Sequence, residues 1–107
     1  MIFLKPDTAL LKPGQDFYLP ENLGEIHHEV ELVVRICRHG KNIQEKFAPK
    51  YYEQISLGID FTARQKQAEL KKKGLPWELA KGFDGSAVIG ELIPKTELKS
   101  LDACNFE

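Results

Sequence analysis

Residues 27–38 read HHEVELVVRICR. Val30, Leu32, Val34 and Ile36 recur with period two, while Glu29, Glu31, Val33, Arg35 and Cys37 take the alternate positions. Successive side chains of an extended chain point to opposite faces, so this spacing predicts a long strand with one fully apolar face. The run is rich in β-branched residues, which suit a pleated surface, and it closes at the turn signal His39-Gly40-Lys41-Asn42.

Working outward, Ile43, Phe47 and Tyr51 fall at helical spacing around Pro49, so a short helix or two helical turns are expected over residues 43–52. Residues 55–62, ISLGIDFT, read as a second strand. Residues 63–73 are dominated by good helix formers, and Gly74 followed by Pro76 is a stop signal. A further helical turn is expected to start at Pro76 and carry residues 77–83, with Trp77 in the core. Asp84-Gly85 is a turn, and residues 87–94 read as one strand ending at Pro94. Upstream, residues 2–4 suggest a short strand entering a turn, and Lys12-Pro13-Gly14-Gln15 marks another turn. Residues 95–107 have little periodicity. The expected fold class is α+β, mostly β, in a single domain spanning residues 1–107.

The balance of 15 Lys+Arg against 16 Asp+Glu gives a net charge of −1. No basic excess exists to neutralise phosphates along a groove, so nucleic-acid binding is not expected. No stretch approaches the roughly 18 consecutive apolar residues of a membrane span, and the opening apolar run is too short for a secretory signal. The expected setting is cytoplasmic. Cys37 and Cys104 match no redox or zinc spacing and are expected to be buried thiols in a reducing compartment. At 107 residues the chain leaves roughly a third or more of its unfolded-state surface exposed, so its own core is marginal and a partner subunit or further sequence is expected to supplement it.

Glu29-Val30-Glu31 is the first candidate for chemistry. In a strand, residues i and i+2 share a face about 6.5–7 Å apart, so the two carboxylates repel unless water or a divalent cation relieves them. A solvent-facing stripe and a metal site are both compatible with the pattern. Asp60, near the end of the second strand and just ahead of a helix, either supplies a third oxygen or caps that helix. Three oxygen donors without soft ligands suit Mg²⁺ or Mn²⁺. His27 and His28 are neighbours on a strand and face opposite ways, so supporting roles fit them better than zinc ligation. Arg64 and Lys81 are the cations best placed to meet a carboxylate substrate or a developing enolate. Lys71-Lys72-Lys73 complements the negative end of a helix.

Several blocks in order carry a resemblance. They are Ile2-Phe3-Leu4-Lys5-Pro6 with Thr8-Ala9, Ile26-His27-His28-Glu29-Val30-Glu31-Leu32, Gly40-Lys41-Asn42-Ile43, Gly58-Ile59-Asp60-Phe61-Thr62-Ala63-Arg64, and residues 71–77 through Ala80-Lys81-Gly82-Phe83-Asp84. Together they resemble the central portion of the fumarylacetoacetate hydrolase family, in its acylpyruvate hydrolase and oxaloacetate decarboxylase-like branch. The resemblance implies that Glu29, Glu31 and Asp60 bind a catalytic Mg²⁺ or Mn²⁺. It also implies that Arg64 and Gln67 lie by the substrate and that Lys81 is catalytic, stabilising negative charge beside the metal. The implied substrate is a small 2-oxo acid, the implied fold a rolled mixed sheet with short peripheral helices, and the implied assembly a homodimer.

The sequence departs from the family in three ways. A G-R-N-Y segment with a downstream His and Glu, forming a lid, is expected ahead of residues 2–6, and a T-G-T-P-x-G-V-G segment is expected later; neither occurs here. Gln65 stands where an acidic residue often follows the arginine. Two functions are therefore carried forward. One is metal-dependent hydrolysis, decarboxylation or isomerisation of a 2-oxo acid, and the other is a truncated, non-catalytic module that retains metal binding or dimerisation.

Overall fold

A computed structural model describes residues 2–98. Its frame is an antiparallel pair: strand β1, Ile26–Ile36, runs against strand β2, Tyr52–Ala63. A shift in register between Arg35 and Ile36 marks the end of regular pairing. The other edge of β2 is shared by two short strands, β3 at Ala87–Ile89 and β4 at Ile93–Pro94. Among the described residues β1 is thus an edge strand. All named pairings are antiparallel, and a single parallel bridge joins Leu10 to Ala87. The α+β, mostly β expectation matches this open sheet with few short helices.

The link between β1 and β2 holds a 3-10 segment, Glu45–Tyr51, with Pro49 inside it. The second strand starts earlier than the sequence suggests, at Tyr52, because Cys37 N–H bonds the Tyr51 carbonyl at 2.9 Å and extends the ladder past the turn. β2 runs directly into helix α1, Arg64–Lys73. Gly74, at φ 65°, terminates it: Gly74 N–H bonds Lys71 O at 3.2 Å and Leu75 N–H bonds Leu70 O at 2.9 Å. That pair of bonds is the Schellman motif, and only glycine enters its left-handed position without a Cβ penalty. Helix α2, Glu78–Lys81, is a single turn.

Three sequence expectations are corrected. Residues 2–4 are extended but form no strand: Ile2 and Leu4 face solvent, and Phe3 turns inward to pack its ring 6.1 Å from Trp77. No strand among the described residues pairs with this segment. The expected strand over 87–94 divides in two: Gly90 N–H still bonds Leu57 O at 2.9 Å, but regular pairing with β2 lapses over residues 90–92 and resumes at Ile93. Cys37 is exposed rather than buried, because it follows the end of a strand whose outer edge no described residue covers; Cys104 lies outside the described residues.

The core is small. Ala63, Leu70 and Ala80 form its centre, with Leu23, Ile26, Trp77 and Phe83 packed around them. Trp77 therefore belongs to the core, as expected. Phe17, from the irregular segment before β1, stacks on Phe61 with ring centroids 3.9 Å apart. By contrast, Val30, Leu32, Val34 and Ile36 of β1, with Leu57 of β2, remain exposed on one face of the pair. The radius of gyration is 15.8 Å, against about 13 Å for a compact domain of similar length. The apolar face that periodicity revealed is real: Ile55 and Phe61 of β2 are covered on it, but its β1 side chains stay exposed among the described residues.

Candidate metal centre

Register builds the centre. Glu29 lies opposite Asp60 and Glu31 opposite Gly58, and residues directly across an antiparallel pair share a face. Glu29, Glu31, Asp60 and Gly58 therefore all project from the side of the sheet opposite the exposed apolar face. One carboxylate oxygen from each of Glu29, Glu31 and Asp60 falls within 4.8 Å of the others. Gly58 leaves the space: a Cβ there would sit 2.7 Å from Val33 Cγ2 and 2.7 Å from the Val88 carbonyl oxygen. A cavity of about 300 Å³ opens here, lined by residues that include Lys5, Glu31, Gly58 and Asp60.

Asp60 does not cap α1. The residue at the helix entrance is Ala63, without a side-chain cap, and Arg64 N–H is satisfied by the Glu25 carbonyl at 2.9 Å. The Asp60 carboxylate is buried and gripped by two lysines: Lys5 Nζ lies 2.7 Å from Oδ1, and Lys81 Nζ lies 2.5 Å from Oδ2. Lys81, carried into the sheet by the last residue of α2, also donates to Glu29 Oε2 at 2.9 Å and to Thr62 Oγ1 at 2.5 Å. Its ammonium lies 4.7 Å from the centre of the Phe3 ring. Burial of a lysine is rare unless it is paired, and here it is paired twice.

Arg64 opens α1 and points back across the sheet. Its Nη2 donates to Glu29 Oε1, its Nη1 to Gln67 Oε1 at 2.7 Å, and its Nε to His27 Nδ1 at 3.3 Å. His27 Nε2 in turn meets Glu25 Oε1 at 2.8 Å. His27 thus orients an arginine, the supporting role expected of it. Arg64 and Gln67 are one turn apart on the same helix face, so both reach the same rim of the centre.

Burial pushes the Glu29 carboxyl upward, but hydrogen bonds from Lys81 and Arg64 outweigh it and hold the group below its ordinary range. Burial lowers the Lys5 ammonium, with partial compensation from Asp60. Glu31 makes no ion pair among the described residues and is exposed, leaving its oxygens available. Three carboxylates with convergent oxygens and no sulfur or imidazole donor fit a hard divalent cation. Lys5 is the participant that sequence reading missed, since Lys5-Pro6 reads as a turn and as part of a resemblance block with no role attached to the lysine. The available signal was Phe3 and Lys5 alternating inward while Ile2 and Leu4 face out. A second cleft, of about 1090 Å³ and lined by Phe17, Leu23 and Phe83 among others, contains none of these groups.

An α+β domain whose antiparallel pair presents an acidic cluster able to hold a divalent cation is the class of protein that fold and site define. The family model described as fumarylacetoacetate (FAA) hydrolase C-terminal matches residues 1–107, and the chain belongs to that family. The rat protein named oxaloacetate tautomerase FAHD1, mitochondrial, is 42% identical over 98 residues, covering 92% of this chain and 44% of that protein. A Yersinia pestis CO92 structure assigned to the fumarylacetoacetate hydrolase family superimposes with a TM-score of 0.84 at 40% identity, covering 92% of this chain and 46% of that one. Fumarylpyruvate hydrolase from Pseudomonas aeruginosa, solved in complex with Mn²⁺ and pyruvate, gives a TM-score of 0.79 at 35% identity over 89% of this chain and 42% of that one. The chain thus spans a little under half the length of these relatives.

Proposed function

We propose that this chain is the metal-binding part of a divalent-metal-dependent enzyme acting on a small 2-oxo acid, by hydrolysis, decarboxylation or isomerisation. The observation that carries this reading is the convergence of Glu29, Glu31 and Asp60 beside Lys81 and Arg64. Glu29, Glu31 and Asp60 would hold Mg²⁺ or Mn²⁺, which when bound supplies Lewis-acid polarisation of a keto oxygen. The Mn²⁺ and pyruvate of the Pseudomonas relative support the cation and the substrate class.

The chain's own side chains define what they contribute. Arg64 offers a planar fork at the rim, 38% exposed, suited to a substrate carboxylate. Gln67 holds that fork in place from one helical turn away. Lys81 is a fixed positive charge among the acids, suited to stabilising negative charge that develops on a substrate oxygen. The proposal includes a single domain over residues 1–107, self-association into a homodimer and a cytoplasmic setting. No helix among the described residues is long and apolar enough to cross a membrane.

The test is turnover with controls. The chain plus Mn²⁺ or Mg²⁺ is expected to release pyruvate from acetylpyruvate, or CO₂ from oxaloacetate, faster than the ion alone, and Glu29→Gln is expected to remove the gain. Free ions decarboxylate oxaloacetate, so the protein-free control is essential. A second reading has an observation of its own: Glu29 and Arg64 are about one-third exposed, so nothing among the described residues seals the centre from water. Metal binding without turnover would select that reading, a module that holds a cation or a partner and converts nothing.

A further inference from the structure

We propose that Lys5 is a positioning residue for the acidic centre, fixing the Asp60 carboxylate and the backbone that carries Lys81 into one arrangement before a cation binds. The inference rests on the divalent-metal reading above. Lys5 reaches in from the irregular segment at residues 2–6, and its side chain is only 14% exposed. Its ammonium ion-pairs with Asp60 Oδ1 at 2.7 Å and donates to the carbonyls of Phe61 at 3.1 Å, Ser86 at 2.9 Å and Lys81. Those carbonyls belong to β2, to the turn before β3 and to the end of α2. One ammonium therefore ties the strand that carries Asp60 to the end of the helix that carries Lys81 and to the turn before β3.

The two oxygens of Asp60 are held by different cations, Lys5 on Oδ1 and Lys81 on Oδ2. Rotation of the carboxylate would break both ion pairs, so its plane is set by the protein. Lys81 is constrained from both ends, because its carbonyl accepts from Lys5 and from Ser86 Oγ at 2.7 Å while its Nζ meets Asp60 and Glu29. A compact ammonium can share its three protons among acceptors on several sides; a guanidinium is a planar fork and does not reproduce that pattern. Lys5 lines the cavity at the centre, and its contacts with the centre are to Asp60 and to the Lys81 carbonyl, so its action passes through those two residues.

Charge and position predict opposite signs. As a neighbouring positive charge alone, Lys5 opposes cation binding, and its removal would tighten it. As a positioning residue, its removal weakens binding by about tenfold or more, the usual cost of losing a partner that orients a ligand. Mn²⁺ binding to the full chain, followed by the electron paramagnetic resonance signal of free Mn²⁺, tests this with Lys5→Met and Lys5→Arg, each below its melting temperature. Both variants are expected to bind more weakly than wild type, and the arginine variant, which keeps the charge, decides the matter where the methionine variant does not fold. Folded variants that bind Mn²⁺ as tightly as wild type or tighter overturn the positioning role. Glu31→Gln serves as the control: wild type that binds while Glu31→Gln does not leaves the metal reading standing whatever the Lys5 variants do. Wild type that takes up no Mn²⁺ removes the metal reading, and this inference with it.

Discussion

The Lys81 ammonium stands 2.5 Å from Asp60 Oδ2, with both side chains almost wholly removed from solvent. Removing one partner of a buried pair leaves an uncompensated charge, at a cost of about 3–5 kcal/mol. Lys81→Met is therefore expected to lower the unfolding free energy of the metal-free chain by about 3 kcal/mol. Urea denaturation in chelator measures this. Adding Mn²⁺ is expected to recover more stability in Lys81→Met than in wild type, since a cation can replace the lost counter-charge.

Glu29 supplies a pH dependence. Its folded-state pKa is held below the ordinary carboxylate value by Lys81 and Arg64 in spite of burial, so the unfolded chain binds its proton more readily than the folded one. Stability from this group is therefore complete above the unfolded carboxylate range and is lost as pH falls through that range and below the folded pKa. In chelator, wild type is expected to lose stability on acidification more steeply than Glu29→Gln, as read by melting temperature across an acid series. Equal slopes would show that Glu29 is not held by these cations in solution.

Gly58 pairs with Glu31 of β1 on one side and with Ile89 of β3 on the other. A Cβ would meet the Val88 carbonyl at 2.7 Å, and backbone cannot move aside without breaking the β2–β3 ladder. Gly58→Ala is expected to destabilise the chain by about 1–3 kcal/mol. It is also expected to weaken Mn²⁺ binding, because Asp60 lies two residues along the same strand face. Unchanged urea midpoint and unchanged Mn²⁺ affinity would contradict the close approach.

Leu32 and Leu57 face each other across the β1–β2 pair, and both are exposed. With Val30, Val34 and Ile36 they make an apolar stripe beside the open edge of β1, the kind of surface that pairs with another chain. Wild type is expected to sediment as a species larger than the monomer, and Leu32→Lys combined with Leu57→Lys is expected to shift it toward monomer. Sedimentation velocity over a concentration series distinguishes the two, and a monodisperse wild-type monomer would rule out association through this stripe.

Elements driven by local periodicity or a stop signal were legible in the sequence. β1 announced itself by alternation, α1 by composition and by Gly74, and the Glu29–Glu31 pair by strand spacing. The segment at residues 2–4 was misread as a strand because its apolar run lacks a partner, and strands exist only as pairs. The division between β3 and β4 escaped because it is a lapse in pairing with β2 over residues 90–92, which no local pattern records. Cys37 was misjudged since its burial depends on what packs against the end of β1, a matter of tertiary structure.

The sequence by itself determined that two carboxylates share one face of a long strand and that this chain resembles its family, since both follow from residue order. Only the tertiary structure decided that Asp60 lies opposite Glu29, that Lys81 is drawn between them from a separate helix, and that Lys5 closes the arrangement from the opening segment. The reason is physical. Register and the burial of charge are fixed by contacts between residues far apart along the chain, 21 positions for Lys81 and Asp60 and 76 for Lys5 and the Lys81 carbonyl, where no periodicity reaches.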